Sequence, residues 1–484
     1  MAGNGKSKPI GKVAGKFFED YLFFKFNPFD LTDFLKWAGG WGISRGLVLW
    51  IFFIGLMSVL SLQIPNLPLF ALAWLIGTAP VWLPIGSYYV AVNTWIWYVQ
   101  SNYLSNREGV LLEVKMPRDV TKSPRAMELA YIPFNLSSGE TTVINRAWQG
   151  GVRPFWSFEI ASFGGDVHFY IWTWKSFRDL VESSIYAYYP EVELVEAEDY
   201  ATKFRFDPAK HDCYCTEWPR ETFRATGPRS WEFGLNAFPI LTYIDFELNK
   251  DPKEEFKIDP LAEPIEFMSS LRPEDQMWVQ IVIREAGIPS THVFGKPKDN
   301  DNKKWVKAIE EGVHQVRIDS LIRLTPEQAE EFGRGPRAAS TWVHQELIQS
   351  MERQMLKYPF EVGIRGWIVS TKEVTSHYYN GMRWMWRPMG NPYYSSWLRP
   401  RRWHPPFDYP WQDYRNLRWN TAARRFIDAY RRRLFFHSPW KLPTNIMSNE
   451  ELATMWHPLS RAVASPGVER IPAKKAEPPG NLPM

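Results

Sequence analysis

The hydrophobic pattern begins with two long apolar runs. GLVLWIFFIGLMSVLSL, residues 46–62, carries no charge. Ile43 and Ile64 extend it toward the ~20 residues that cross a bilayer as a helix. After the uncharged connector QIPNLP comes LFALAWLIGTAPVWLPIGSYYVAV, residues 69–92. Pro80 and Pro84 predict a kink, which membranes tolerate. Trp95, Trp97 and Tyr98 follow at the place of an interfacial aromatic belt. The pattern predicts a transmembrane helical hairpin within 43–100, with spans near 43–64 and 69–92. A buried soluble hairpin is the alternative. A signal peptide does not fit, because a long segment precedes the first run and a second run follows at once.

Beyond residue 105 the periods shorten. GVLLEVKMP from Gly109 reads as a strand. Ser123-Pro124 reads as an N-cap with Pro at the first helical position. PFWSFEIAS (154–162) and DVHFYIWTW (166–174) read as strands joined at Gly164-Gly165. SFRDLVESSIYAYY has helical spacing and VELVEAED alternates. This βαββαβ order is the ferredoxin-like unit, placed at 105–205. A second unit is expected over 236–375: a strand at 238–248, a helix at 261–271, a strand at 277–285, a polar insertion at 294–336, a helix at 338–357 and a strand at 359–370. One of its strands is not visible. The predicted class is α+β: a transmembrane hairpin followed by duplicated ferredoxin-like domains. A basic segment (1–42) precedes them. An arm (376–440) and a C-terminal helix with a Pro-rich tail (441–484) follow.

Charge sets the orientation. Six Lys and Arg45 precede the first span, and Arg107, Lys115, Arg118, Lys122 and Arg125 follow the second. The positive-inside rule places both termini in the cytoplasm of a multi-pass protein of the cell (inner) membrane. The 484 residues contain only two cysteines, which excludes a disulfide framework and suits a reducing compartment. The 25 Trp, 31 Phe and 21 Tyr suit a membrane interface or a surface packed against a large partner. A net charge of +4 is too small to imply nucleic acid, but it is uneven. Residues 377–440 hold twelve Arg, no Lys and three Asp, with seven Trp and seven Tyr. That region is +9 and the remainder is −5. Arg stacks on aromatics and grips phosphate with two N–H groups. The candidate contact residues are Arg399, Arg401, Arg402, Arg424, Arg425, Arg431, Arg432 and Arg433. From about Asn420, Ala423, Phe426, Ile427, Tyr430 and Leu434 can share one helical face, giving a basic amphipathic helix. Three readings stay open: packing within the protein or against a subunit, lipid headgroups, and single-stranded nucleic acid.

Motifs for catalysis are weak. GNGKS at 3–7 resembles the end of a phosphate-binding loop, but no apolar strand precedes it and the first Gly is missing. It reads as a basic terminus. His211, Cys213 and Cys215 lack a fourth ligand and have a spacing narrower than zinc sites use, so no metal or other cofactor is expected. No paired carboxylates stand out for acid/base work, and a non-enzymatic role is expected.

The C-terminus reads SNEELATMWHPLSRAVASPGVERIPAKKAEPPGNLPM, with Ser448 and Glu451 spaced as a capping box. Glu450–Thr454, His457-Pro458 and Lys474–Pro483 resemble the segment just before the motor of membrane-anchored type IV secretion, conjugation coupling-protein and HerA-like ATPases of small-genome bacteria. His168–Tyr200 and Asp259–Glu285 resemble the non-motor region of the same family. In that family a RecA-like motor with the P-loop follows, whereas this sequence ends at Met484. The resemblance implies a membrane-anchored scaffold, in a homo-oligomer, that docks a separate P-loop ATPase on the cytoplasmic face. A membrane tether that holds DNA on the 377–440 arm is the alternative.

Overall fold

The apolar runs form helices α1 (Arg45–Gln63) and α2 (Leu67–Ser105) in a computed structural model of the chain. The structure describes residues 45–64, 66–117, 120, 122–137, 142–222, 237–249, 258–286, 301–319, 342–391, 396–403, 413–437, 440–442, 444–460, 463 and 467–471. The GNGKS pentapeptide and the tail 472–484 lie outside them. α2 is long and apolar enough to cross a membrane, and α1 is a shorter apolar helix. α2 runs unbroken through Pro80 and Pro84. Its large side chains from Leu69 to Val90 are exposed.

The chain divides into two compact units, residues 1–91 with 404–419, and residues 92–403 with 420–484. The second is a mixed α+β body built on a large, mainly antiparallel sheet. Its strands are β1 (Gly109–Pro117), β2 (Trp156–Phe163), β3 (Asp166–Trp174), β4 (Glu193–Ala197), β5 (Asp212–Glu217), β6 (Arg220–Thr222), β7 (Asp275–Glu285), β8 (Pro359–Ser370), β9 (Ser396–Leu398), β10 (Arg401–Arg402), β11 (Asn445–Ser448) and β12 (Arg470–Ile471). Along the sheet the order is β4-β1-β3-β2-β7-β8-β5-β10, every neighbour antiparallel. β11 extends the edge of β8, and β12 lies parallel to the end of β1. β6 and β9 form a separate pair. β2 and β3 are joined by Gly164 and Gly165, whose φ of +64° and +99° satisfy a tight hairpin.

The strands of 105–205 and of the later segment therefore share one sheet, because β2 pairs with β7 along its length. An expected element differs. Residues 238–248 are not a strand. The backbone N–H groups of Ile240 and Tyr243 are taken by the side chains of Glu451 and Thr454, at 3.0 and 2.9 Å, so no ladder forms. The sheet instead continues beyond β8 with β5, at 212–217, and the two-residue β10.

Helices α3 (Pro124–Ala130), α4 (Arg178–Tyr188), α5 (Ala262–Ser269), α8 (Ser376–Trp384) and α10 (Asn449–Met455) cover one sheet face. There Phe158, Ile160, Phe169, Ile171, Val279, Ile281 and Val362 meet Met127, Ile185, Ile265, Met382 and Leu452. α6 (Asp301–Asp319) and α7 (Trp342–Gln354) form a small packed pair between β7 and β8. The opposite sheet face is covered by α9 (Leu417–Arg431), which buries Ala423, Phe426, Ile427 and Tyr430 against Trp278 and Trp367. Coverage on both faces explains why β2 and β7 are buried along nearly their whole length.

Candidate functional site

A row of polar residues crosses the sheet beneath α9. Strand register places Glu113, Tyr170, Glu159, Gln280, Arg365, Glu217 and Arg401 opposite one another on β1, β3, β2, β7, β8, β5 and β10. Directly opposed residues point to the same face, so these side chains line up across seven strands. Glu159, Gln280 and Arg365 are at most 1% exposed. Charges are almost never buried this deeply unless paired and hydrogen-bonded.

The pairing is dense. Glu159 Oε1 accepts from Ser157 at 2.6 Å, from Gln280 at 2.9 Å and from Arg433 Nε at 3.0 Å. Its Oε2 accepts from Tyr200 at 2.7 Å and from Arg433 Nη2 at 3.2 Å. Arg433 also grips Asp199 through both terminal nitrogens. Gln280 Oε1 accepts from Arg365 Nε at 2.7 Å, and Arg365 donates to the Leu434 carbonyl at 2.9 Å. Tyr200 and Tyr430 meet hydroxyl to hydroxyl at 2.9 Å. The end of α9 and the residues after it are thereby clamped to the middle of the sheet, where the β2–β7 seam lies.

Burial and charge act in opposite directions here. Burial would lower Arg433, but Glu159 and Asp199 outweigh it and hold its pKa well above the ordinary value. Arg365 is drawn down to about 10 by burial, opposed by Glu217. Burial pushes Tyr200 and Tyr430 well up, and the neighbouring Glu159 adds to this. Burial would raise Asp199, but Arg433 holds it below the usual carboxylate value. The buried groups of this site form a satisfied internal network that holds α9 to the sheet.

The arginines singled out in the sequence separate into two sets. Arg433 is 1% exposed and belongs to the buried network, so it presents nothing to a phosphate. Arg431 caps the carbonyls of Ala201 and Phe204. Arg424 and Arg425 are exposed on α9, and Arg432, just past its end, is exposed and bonded to Asp428 one turn back at 2.9 Å. Arg399 and Arg401 are also exposed, and Arg402 lies in β10 opposite Thr216. Trp403 packs edge-on against Phe426 at 6.2 Å and ties the β10 segment to α9. The spacing of Arg residues did not reveal which pointed inward. That depended on the turn after α9, where Arg433 takes φ +52°.

Cys213 and Cys215 are buried in β5 under α9. Burial pushes the Cys215 thiol well up, away from the reactive thiolate. His211 Nδ1 accepts from the Asp207 backbone N–H at 3.1 Å. Among the described residues no group of three or more His, Cys, Asp or Glu could hold a metal.

The C-terminal motif is a second buried network. Ser448 and Glu451 form a reciprocal capping box on α10. Glu451 also pairs with buried Arg220. Glu450 accepts from Thr242 at 2.7 Å and Arg353 at 3.0 Å. His457 sits between the Ala453 carbonyl at 2.8 Å and Asp259 at 3.0 Å. These residues tie α10 and the chain after it to the 238–248 segment, to α7 and to Asp259 just before α5. The sequence contained a signal for the first network: Glu159, Gln280 and Arg365 are polar residues in the middle of largely apolar strands. The chain matches no protein-family model and no curated protein.

Proposed function

We propose that this chain is a membrane-anchored, non-catalytic platform of a type IV secretion or conjugation-like apparatus, working with a P-loop ATPase supplied as a separate chain. The observation that carries the reading is α2. Its apolar, exposed residues 69–92 extend about 36 Å at 1.5 Å per residue, enough for a ~30 Å hydrocarbon core. The same helix then packs into the sheet body through Val99 and through Tyr103, whose ring lies 6.2 Å from Trp174. α1 supplies the second pass, with both termini cytoplasmic. The body comprises two ferredoxin-like units joined edge to edge. The strand order 4-1-3-2 repeated in reverse, from β4 to β10, supports this reading. The buried α10 network supports a structural role for the motif that carries the family resemblance.

The test is a mild-detergent pull-down of the tagged full-length protein from its native cells. A co-purifying P-loop ATPase is expected. A clean oligomer of this chain alone would overturn the docking role. A second reading, a nucleic-acid tether, draws on the exposed Arg424 and Arg425. Phosphate-driven binding would weaken steeply with salt and vanish in an R399A/R401A/R424A/R425A variant. Unchanged DNA affinity in that variant would remove it.

A further inference from the structure

A short helical turn, residues 143–147, stands apart from the sheet and rests on α2. Thr142 caps it by accepting from Asn145 N–H at 3.1 Å. It carries Ile144 and, one turn on, Trp148, which are 61% and 68% exposed. The i, i+4 spacing puts both on one face. Large exposed apolar groups side by side mark a surface that meets something apolar.

The neighbouring residues identify the partner. Trp95 Nε1, on α2, donates to the Ala147 carbonyl at 2.7 Å. The rings of Trp95 and Trp148 meet edge-on at 5.7 Å, and Trp95 lies 6.1 Å from Tyr98. One helical turn beyond Trp95, the loop presses on α2 again. Gly150 has φ +65°, and a Cβ there would stand 2.1 Å from the Val99 carbonyl oxygen. The turn is therefore fixed to α2 at two points, directly after the apolar stretch ends at Val92. Tryptophan and tyrosine collect at the membrane–water boundary because they have an apolar body and a polar tip. Arg146 lies in the same turn, suited to anionic headgroups.

We infer that residues 143–148 are an interfacial membrane foot: Ile144 and Trp148 insert at the headgroup level beside Trp95 and Tyr98. The inference rests on the reading of α2 as a span and adds a second contact to it.

The test uses the full-length protein in lipid nanodiscs with an environment-sensitive fluorophore on single introduced cysteines. Native Cys213 and Cys215 are buried and do not compete for label. The positions are I144C, I76C in the middle of α2, and W342C on the exposed end of α7. Quenching lipids carry the spin label either near the headgroup or near the chain end. The expected result is shallow-selective quenching at 144, deep-selective quenching at 76 and none at 342. A G150V substitution should release the 144 label to water and leave the 76 label unchanged. Deep quenching at 76 with a water-exposed label at 144 would overturn the foot and leave the span standing. A water-exposed label at 76 would overturn the span and the foot together.

Discussion

Replacing Arg433 by Met tests the clamp between α9 and the sheet. The guanidinium and both of its carboxylate partners lie in or beside the core: Arg433 is 1% exposed, Glu159 0%, and the Asp199 side chain 25%. The substitution keeps most of the volume, so little of the loss comes from a cavity. It leaves Glu159 ionised in an interior that still offers Ser157, Gln280 and Tyr200 as donors, but no charge of opposite sign within the contacts that Arg433 made. Removing one member of a buried pair costs about 3–5 kcal/mol. With an unfolding entropy of about 2.1 cal/mol/K per residue over a body of this size, that is about 4–6 °C in Tm. The assay is thermal unfolding in detergent, followed by near-UV circular dichroism. The double variant E159Q/R433M should recover at least about half of the loss, since the stranded charge is gone. An R433M protein that melts within about 1 °C of the parent, or a double variant no better than R433M, would refute the argument.

Burial, with Arg284 and Arg153 nearby, holds His437 neutral well below its ordinary pKa. Its contribution to stability is complete above about pH 6.5 and falls as pH drops, by at most about 1.4 kcal/mol per unit; H437F should flatten that slope in melts between pH 7 and 5. E451A strands Arg220 and removes the capping box, so a loss of about 3–5 kcal/mol is expected in the same melts. Two glycines should respond in opposite ways. A Cβ on Gly363 would lie 2.3 Å from the buried Phe435 ring, so G363A should cost about 1–3 kcal/mol. A Cβ on Gly312 would meet mainly the mobile end of Met351, so G312A should cost little and gain up to about 1 kcal/mol in helix propensity.

Local pattern was sufficient wherever one segment carried its own signal. The uncharged runs marked α1 and α2, alternation marked β4, Gly164-Gly165 marked the hairpin, and Ser448 with Glu451 marked the start of α10. The mixed α+β class followed from these. Other features required distant parts of the chain. Residues 238–248 look like a strand, but α10, about two hundred residues later, satisfies their backbone and leaves no ladder to form. β10 is too short to show a period. The pairing of β2 with β7 merged two expected units into one sheet, because strand partners are chosen by available edges and not by sequence spacing. The arginines show the same limit. Composition made 377–440 a uniformly basic arm, yet Arg433 turns into the core while Arg424 and Arg425 face out. Only the fold could set that difference, because Glu159 and Asp199, far back in the chain, provide the buried charge that makes one arginine cheaper inside than in water.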